Sequence, residues 1–286
     1  MFKKKHMKNY IKTLFILLLL PFMAMAQKKD SIKVKEKLER PAFESATLID
    51  NATNVLFNKN TLEIQMSHRF GLINAGENDL AGFWAPANIR IGLAYAITDR
   101  ITLGYGTTKF DRLQDFNWKV ALLNQTRSGK MPVSVTYYGN FTVDARTKDN
   151  FSHIQDRYSS FHQLIIAKRF NSKFSMQVAP SVSHYNIVEN TMKNDMLAIA
   201  IGGRYKISPQ TAFMADYSQP LTSFAMNNPK PGVSMGFEFS TSAHAFQLFL
   251  TNYTGIVQQK NYMFNKNDFM KGNFLIGFNI TRVYNF

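Results

Sequence analysis

The sequence contains no cysteine, so it can form neither a disulfide framework nor a lipid-attachment cysteine behind a leader. It also lacks a long apolar run. The longest nearly uninterrupted one, residues 14–26, falls short of the roughly 18 residues that a spanning helix requires, which excludes a helical membrane protein. Charge is scarce at 19% of residues, and acids (19) are scarcer than Lys plus Arg (34). Low charge beside 14% aromatic residues excludes a disordered chain, which would lack side chains able to bury surface. Only 15 Gly and 9 Pro stand against 25 Phe and 12 Tyr, a balance that favours many strands over helices.

What is present begins with a leader. Lys3, Lys4, Lys5, Lys8 and Lys12 precede an apolar centre from Leu14 to Phe22, and Ala24-Met25-Ala26 supplies small residues before a cleavage site. Residues 1–26 therefore read as a secretory signal peptide cleaved near Ala26, leaving Gln27 first. Losing those five lysines lowers the formal charge from +15 to +10. An exported chain rarely meets nucleic acid, and no basic helix or basic-aromatic motif is visible, so that partner is set aside.

Residues 27–41 are polar and uneven in charge, the composition of a solvated tether. Residues 42–60 add Phe43, Leu48, Ile49, Val55, Leu56 and Phe57, too apolar for a simple linker and suited to a segment that enters or closes a barrel mouth. The span 27–60 is thus expected to be a periplasmic tether with a possible plug, ahead of a barrel over residues 61–286.

From Thr61 onward the pattern has a period of two. Leu62, Ile64, Met66 and Phe70 share one parity while Thr61, Glu63, Gln65, Ser67 and Arg69 share the other, as in a strand with two unlike surfaces. Ile89, Ile91, Leu93, Tyr95 and Ile97 repeat the pattern, followed by Ile101, Leu103 and Tyr105. Similar runs occupy 116–125, 132–144, 158–170, 174–185, 196–207, 211–218, 232–240, 245–253 and 273–286. About twelve strands result, each near the ~10 residues that cross a bilayer at a tilt. Short connections (98–100, 126–131, 171–173, 208–210, 241–244) alternate with long ones (71–87, 109–115, 145–157, 186–195, 219–231, 254–272). The expected fold is all-β: a transmembrane antiparallel up-and-down barrel with short periplasmic turns and longer extracellular loops, in the outer membrane of a Gram-negative bacterium.

Aromatics near strand ends (Phe70, Tyr95, Tyr105, Tyr137, Phe170, Tyr205, Phe239) suit interfacial girdles and separate this reading from a soluble β-sandwich. In the last run Phe274, Ile276, Phe278, Ile280, Tyr284 and Phe286 share one parity. Phe278, Ile280, Tyr284 and Phe286 resemble the C-terminal signal by which outer-membrane barrels are recognised for insertion, although Arg282 interrupts it. That resemblance implies outer-membrane lipid and the barrel assembly machinery as partners.

The mature chain as a whole resembles a bacterial family of unknown function described as membrane-bound β-barrel domains. The resemblance is carried by residues 44–51 (ESATLIDN), 106–109 (GTTK), 132–139 (PVSVTYYG), 161–166 (FHQLII), 203–209 (GRYKISP) and 278–282 (FNITR). It implies location and fold, and supplies no catalytic residues.

Residue patterns that could carry chemistry are few. Ser160 and His162 are the one serine–histidine pair placed at i and i+2 on an expected strand, about 6.5 to 7 Å apart, and no third residue joins them. They are weak catalytic candidates, and a polar pair at a strand mouth is the plainer account; the protein is read as a non-enzyme. His68, His153, His162, His184 and His244 lie on five segments without ligand spacing, so neither metal nor cofactor is expected. Charges on the polar parity, Glu63, Arg69, Arg90, Lys119, Asp144, Arg204, Lys206 and Glu238, are expected to line the lumen. They leave open a narrow channel for small solutes, anionic ones being favoured by the excess of positive charge if the lumen is open, and a structural or partner-binding barrel with a filled lumen. A lipid-modifying enzyme is a third, weaker reading. The solute or periplasmic partner is not legible.

Overall fold

In the computed structural model, residues 36–74, 76 and 78–286 are described. The leader and residues 27–35 of the tether lie outside the described residues. Two short strands come first, β1 (Thr47–Leu48) and β2 (Asn51–Ala52). Twelve barrel strands follow: β3 (Thr61–Leu72), β4 (Asn88–Thr98), β5 (Ile101–Thr108), β6 (Leu113–Leu123), β7 (Ser134–Asp144), β8 (Tyr158–Arg169), β9 (Phe174–Tyr185), β10 (Asp195–Lys206), β11 (Thr211–Pro220), β12 (Gly232–Ser240), β13 (His244–Thr251) and β14 (Leu275–Asn285). One short α-helix, α1 (Gln258–Phe264), lies in the connection before β14.

Each barrel strand pairs antiparallel with its sequence neighbours, and β14 pairs with β3 to close the ring. Closure leaves no unpaired edge, the condition for placing sheet in hydrocarbon. Alternation then assigns the faces. On β3, Thr61, Glu63 and Arg69 are buried while Ile64 and Met66 are exposed, and β4 exposes Ile91, Leu93, Tyr95 and Ile97. This is the inverse of a soluble protein: greasy side chains outward, polar side chains inward.

Connection lengths follow the expected alternation with one exception. The turn 124–133 is longer than the opposite-end loop 109–112. The turn is extended because the N-terminal segment docks on it: Glu39 N–H donates to Gln125 O at 2.8 Å, and Arg127 N–H to Lys37 O at 3.0 Å. The loop is tightened by Asp111 and Arg112, both with positive φ (56° and 49°).

Residues 37–60 come in at the short-turn end, rise into the barrel, reverse at Ile49-Asp50 and return to the same end. There Lys59 N–H donates to Asp99 Oδ1 at 2.8 Å before β3 begins. The reversal is tight. Ile49 has φ 56°, a region that a β-branched residue rarely adopts, and is held there while 2% exposed.

Candidate functional site

The interior of the barrel is where polar side chains, charges and the two non-barrel elements meet. Its wall is two-sided. Along β8–β11 the inward positions include Phe161, Ile165, Ala167, Ala179, Met196, Ala198, Ala200 and Met214, all buried. The rest of the wall is polar and charged. The β1–β2 hairpin matches both halves, with Leu48, Ile49, Ala52 and Val55 joining the apolar cluster and Asp50 and Asn51 facing polar partners. Leu48 reaches so close to Gly202 on β10 that any Cβ there would collide with its Cδ2.

Asp50 is the hub of the polar half. Its carboxylate accepts from Arg69 Nη2 at 2.9 Å, Ser234 Oγ at 2.6 Å and Thr251 Oγ1 at 2.8 Å, joining the hairpin to β3, β12 and β13. Beside it Asn51 Nδ2 donates to Asp216 Oδ2 at 2.7 Å. Lower in the lumen, Glu238 accepts from Arg204 Nε at 2.8 Å, Ser45 Oγ at 2.6 Å and Gln247 Nε2 at 3.1 Å. Lys119 Nζ donates to the backbone oxygen of Ala46 at 2.6 Å, so a wall cation holds the plug by its main chain.

From the opposite end α1 folds into the lumen. Gln259 Nε2 donates to Asn140, Thr142 and Ser159 on β7 and β8. Tyr262 donates its hydroxyl to Asn51 of the hairpin, so the two inserted elements touch. Burial pushes the phenols of Tyr253 and Tyr262 above the usual tyrosine range, with the Asp216 carboxylate adding to the rise at Tyr262. Between hairpin, α1 and wall there remains a cavity of about 60 Å³, lined by Glu63, Arg90, Asp115, Lys119 and Gln258 among others.

Of the charges expected inside, Glu63, Arg69, Arg90, Lys119, Arg204 and Glu238 are buried and inward. Asp144 and Lys206 share the inward parity but stand at strand ends, partly exposed; Asp144 binds Arg146 at 2.6 Å rather than a lumen partner. The wall also holds Asp115 and Asp216, which are not among the charges expected inside. Asp115 takes a two-pronged bond from Arg90 (3.0 and 2.8 Å), whose guanidinium lies over Gly92 and Gly106, where a side chain would collide with it. Asp115 lies before the expected run from 116 because β6 begins earlier, at Leu113. Asp216 lay in plain view on the polar parity of β11. With both included, the buried wall carries four cations and four carboxylates among the described residues, so the expected positive excess is not in the mid-lumen.

Ser160 and His162 share the outward face. His162 Nδ1 is bonded to Tyr137 Oη at 2.7 Å, and among the described residues no hydrogen bond joins it to Ser160. Ser160 pairs across the sheet with His184, and His184 with Asp195. The His184 ring bonds Asp195 Oδ1 at 2.7 Å and Asn186 Oδ1 at 2.9 Å, leaving neither nitrogen for the serine. Phe278, Ile280 and Tyr284 are half-buried on the outward face, and Phe286 is 81% exposed. No helix among the described residues is long and apolar enough to cross a membrane, and none of their His, Asp and Glu side chains cluster as metal ligands.

The model of the family "membrane bound beta barrel domain (DUF5777)" matches residues 43–284. The chain belongs to this family. The match begins at Phe43, inside the inserted segment, so the β1–β2 hairpin as well as the wall falls within it. Among curated proteins none matches the sequence significantly. Solved structures of similar shape include the NanC porin (6% identity, 79% of this chain and 99% of that one, TM-score 0.49). Another is the COG4313 outer membrane channel from Pseudomonas putida F1 (12% identity, 80% and 97%, TM-score 0.47). A third is the Pseudomonas putida toluene transporter TodX (14% identity, 70% and 49%, TM-score 0.30).

Proposed function

We propose that this membrane-bound barrel is an outer-membrane channel for small hydrophilic solutes that rests closed, with residues 37–60 as its plug and α1 as a second closure. One observation carries the reading: the ring of twelve strands is complete without the plug. The β1 strand pairs with β2, and the plug is attached to the wall mainly through side chains. Because it comes in and leaves at one end, its part inside the lumen, residues 42–57, can withdraw as a loop without breaking a barrel ladder bond. The wall left behind is polar over much of its circumference, as water requires.

In this reading residues 1–26 are a cleaved export signal, the short turns face the periplasm, and outer-membrane lipid and the assembly machinery are the partners met on the way. The reading is non-enzymatic. A second reading, a permanently filled structural barrel, is favoured by the apolar patch on β8–β11, whose exposure on unplugging opposes opening. Single-channel recording in planar bilayers separates the two. Rare openings that become frequent when the plug is destabilised support the channel, and silence of both wild type and plug variants refutes it.

A further inference from the structure

A larger cavity opens at the long-loop mouth, and its chemistry differs from that of the lumen. It measures about 630 Å³, within the range of small-molecule pockets. Four cationic residues from three connections line it: Lys109 and Arg112 between β5 and β6, Arg146 between β7 and β8, and Lys260 on α1. Asp111 is the acid among its lining residues. It binds Lys260 at 2.9 Å and Arg146 at 3.4 Å, and so stands where an anion would sit between two cations. Arg146 is further fixed by Asp144, whose hydrogen bonds hold its guanidinium even more firmly protonated. Lys109 and Arg112 make no ion pair among the described residues, while the backbone of Asp111 and Arg112 is held at positive φ. Two solvated cations beside a pair already bridged by one carboxylate form a site with charge to spare.

We infer that this mouth is a binding site for small multivalent anions bearing phosphate or carboxylate groups. Guanidinium forks suit such oxygens geometrically, and the neighbouring ammonium groups add charge. The source is a free solute rather than a lipid headgroup. The cavity is floored by Asn88, Thr108 and Leu113, which are buried inward ends of β4, β5 and β6, and by a helix that folds into the lumen. It therefore opens inside the ring of strands. The inference deepens the channel reading by naming the solute class met at its outer mouth, but binding itself does not depend on whether the barrel conducts.

The test is calorimetric titration of the full chain, in uncharged detergent, with inorganic pyrophosphate. Saturable binding is expected. The double variant Lys109→Gln/Arg112→Gln, which disturbs no ion pair, should weaken it at least about tenfold. Asp111→Asn should tighten it by several-fold, because asparagine tolerates the positive φ and removes the competing carboxylate. No saturable heat up to about 10 mM pyrophosphate, or equal affinity in wild type and double variant, overturns the assignment. Binding in zwitterionic nanodiscs should match that in detergent. If lipopolysaccharide in the nanodisc abolishes it, headgroup phosphate fills the site and the free-solute assignment fails. Pyrophosphate binding by a barrel silent in bilayers would retire the channel alone, and conductance without binding would retire this site alone.

Discussion

Asp50→Ala tests the closed-channel reading at its most connected atom. Arg69 is 1% exposed and has one carboxylate partner, Asp50 at 2.9 Å. Truncation leaves the guanidinium with Asn279 Oδ1 at 3.0 Å, its neighbour's backbone oxygen and the face of Phe249. Stranding a buried charge in this way costs about 3–5 kcal/mol, and Ser234 and Thr251 lose their shared acceptor as well. All three bonds join plug to wall, so the cost falls on the plugged state. At tenfold per 1.4 kcal/mol, the plugged-to-open ratio should fall by roughly two to three and a half powers of ten. The assay is open probability in planar bilayers, with heat-modifiable gel migration confirming that the ring, which does not include the plug, is intact. Adding Arg69→Met removes the stranded charge and should restore much of the closure, giving a coupling energy by double-mutant cycle. An intact Asp50→Ala barrel that conducts no more than wild type refutes the reasoning, as does a double variant that behaves like the single one.

Gly202→Leu should dislodge the hairpin without altering any charge, since its side chain claims the space of Leu48, and should likewise raise open probability. Ile280→Arg places a cation on the outward face midway along β14 and should cost about 2–4 kcal/mol of membrane stability, whereas Thr281→Arg, pointing inward toward the cavity shared with Glu63, should cost far less. Urea titration of folded barrels in bilayers compares the two, and equal costs would mean the faces are misassigned. The docking of α1 should be alkali-sensitive. Tyr262 and Tyr253 have raised folded values, so their contribution is complete below the ordinary tyrosine value of about 10 and is lost as pH climbs through the raised ones. Protease cleavage of the 252–274 connection should rise over that alkaline range, and the step should vanish in Tyr253→Phe/Tyr262→Phe.

The barrel was legible in the sequence because its physics is local. Period-two alternation states which side of each strand meets lipid and which meets water, whatever the strand pairs with. Twelve such runs joined by alternating connections leave little choice but an antiparallel meander, and Glu63, Arg69, Arg90, Lys119, Arg204 and Glu238 fall inward by parity alone. The contents of the lumen were decided at the tertiary level. Residues 42–57 take most of their side-chain hydrogen bonds from the wall; the hairpin at Ile49-Asp50 exists because β10 leaves space at Gly202 and because Arg69, Ser234 and Thr251, far apart in sequence, converge on one carboxylate. For the same reason α1 reads as part of a long loop until Tyr262 and Gln259 meet partners on β7, β8 and the plug. Charge balance followed suit: composition records an excess of positive charge, but only closure of the ring pairs Arg90 with Asp115 and Arg204 with Glu238 inside, and gathers Lys109, Arg112, Arg146 and Lys260 at the mouth.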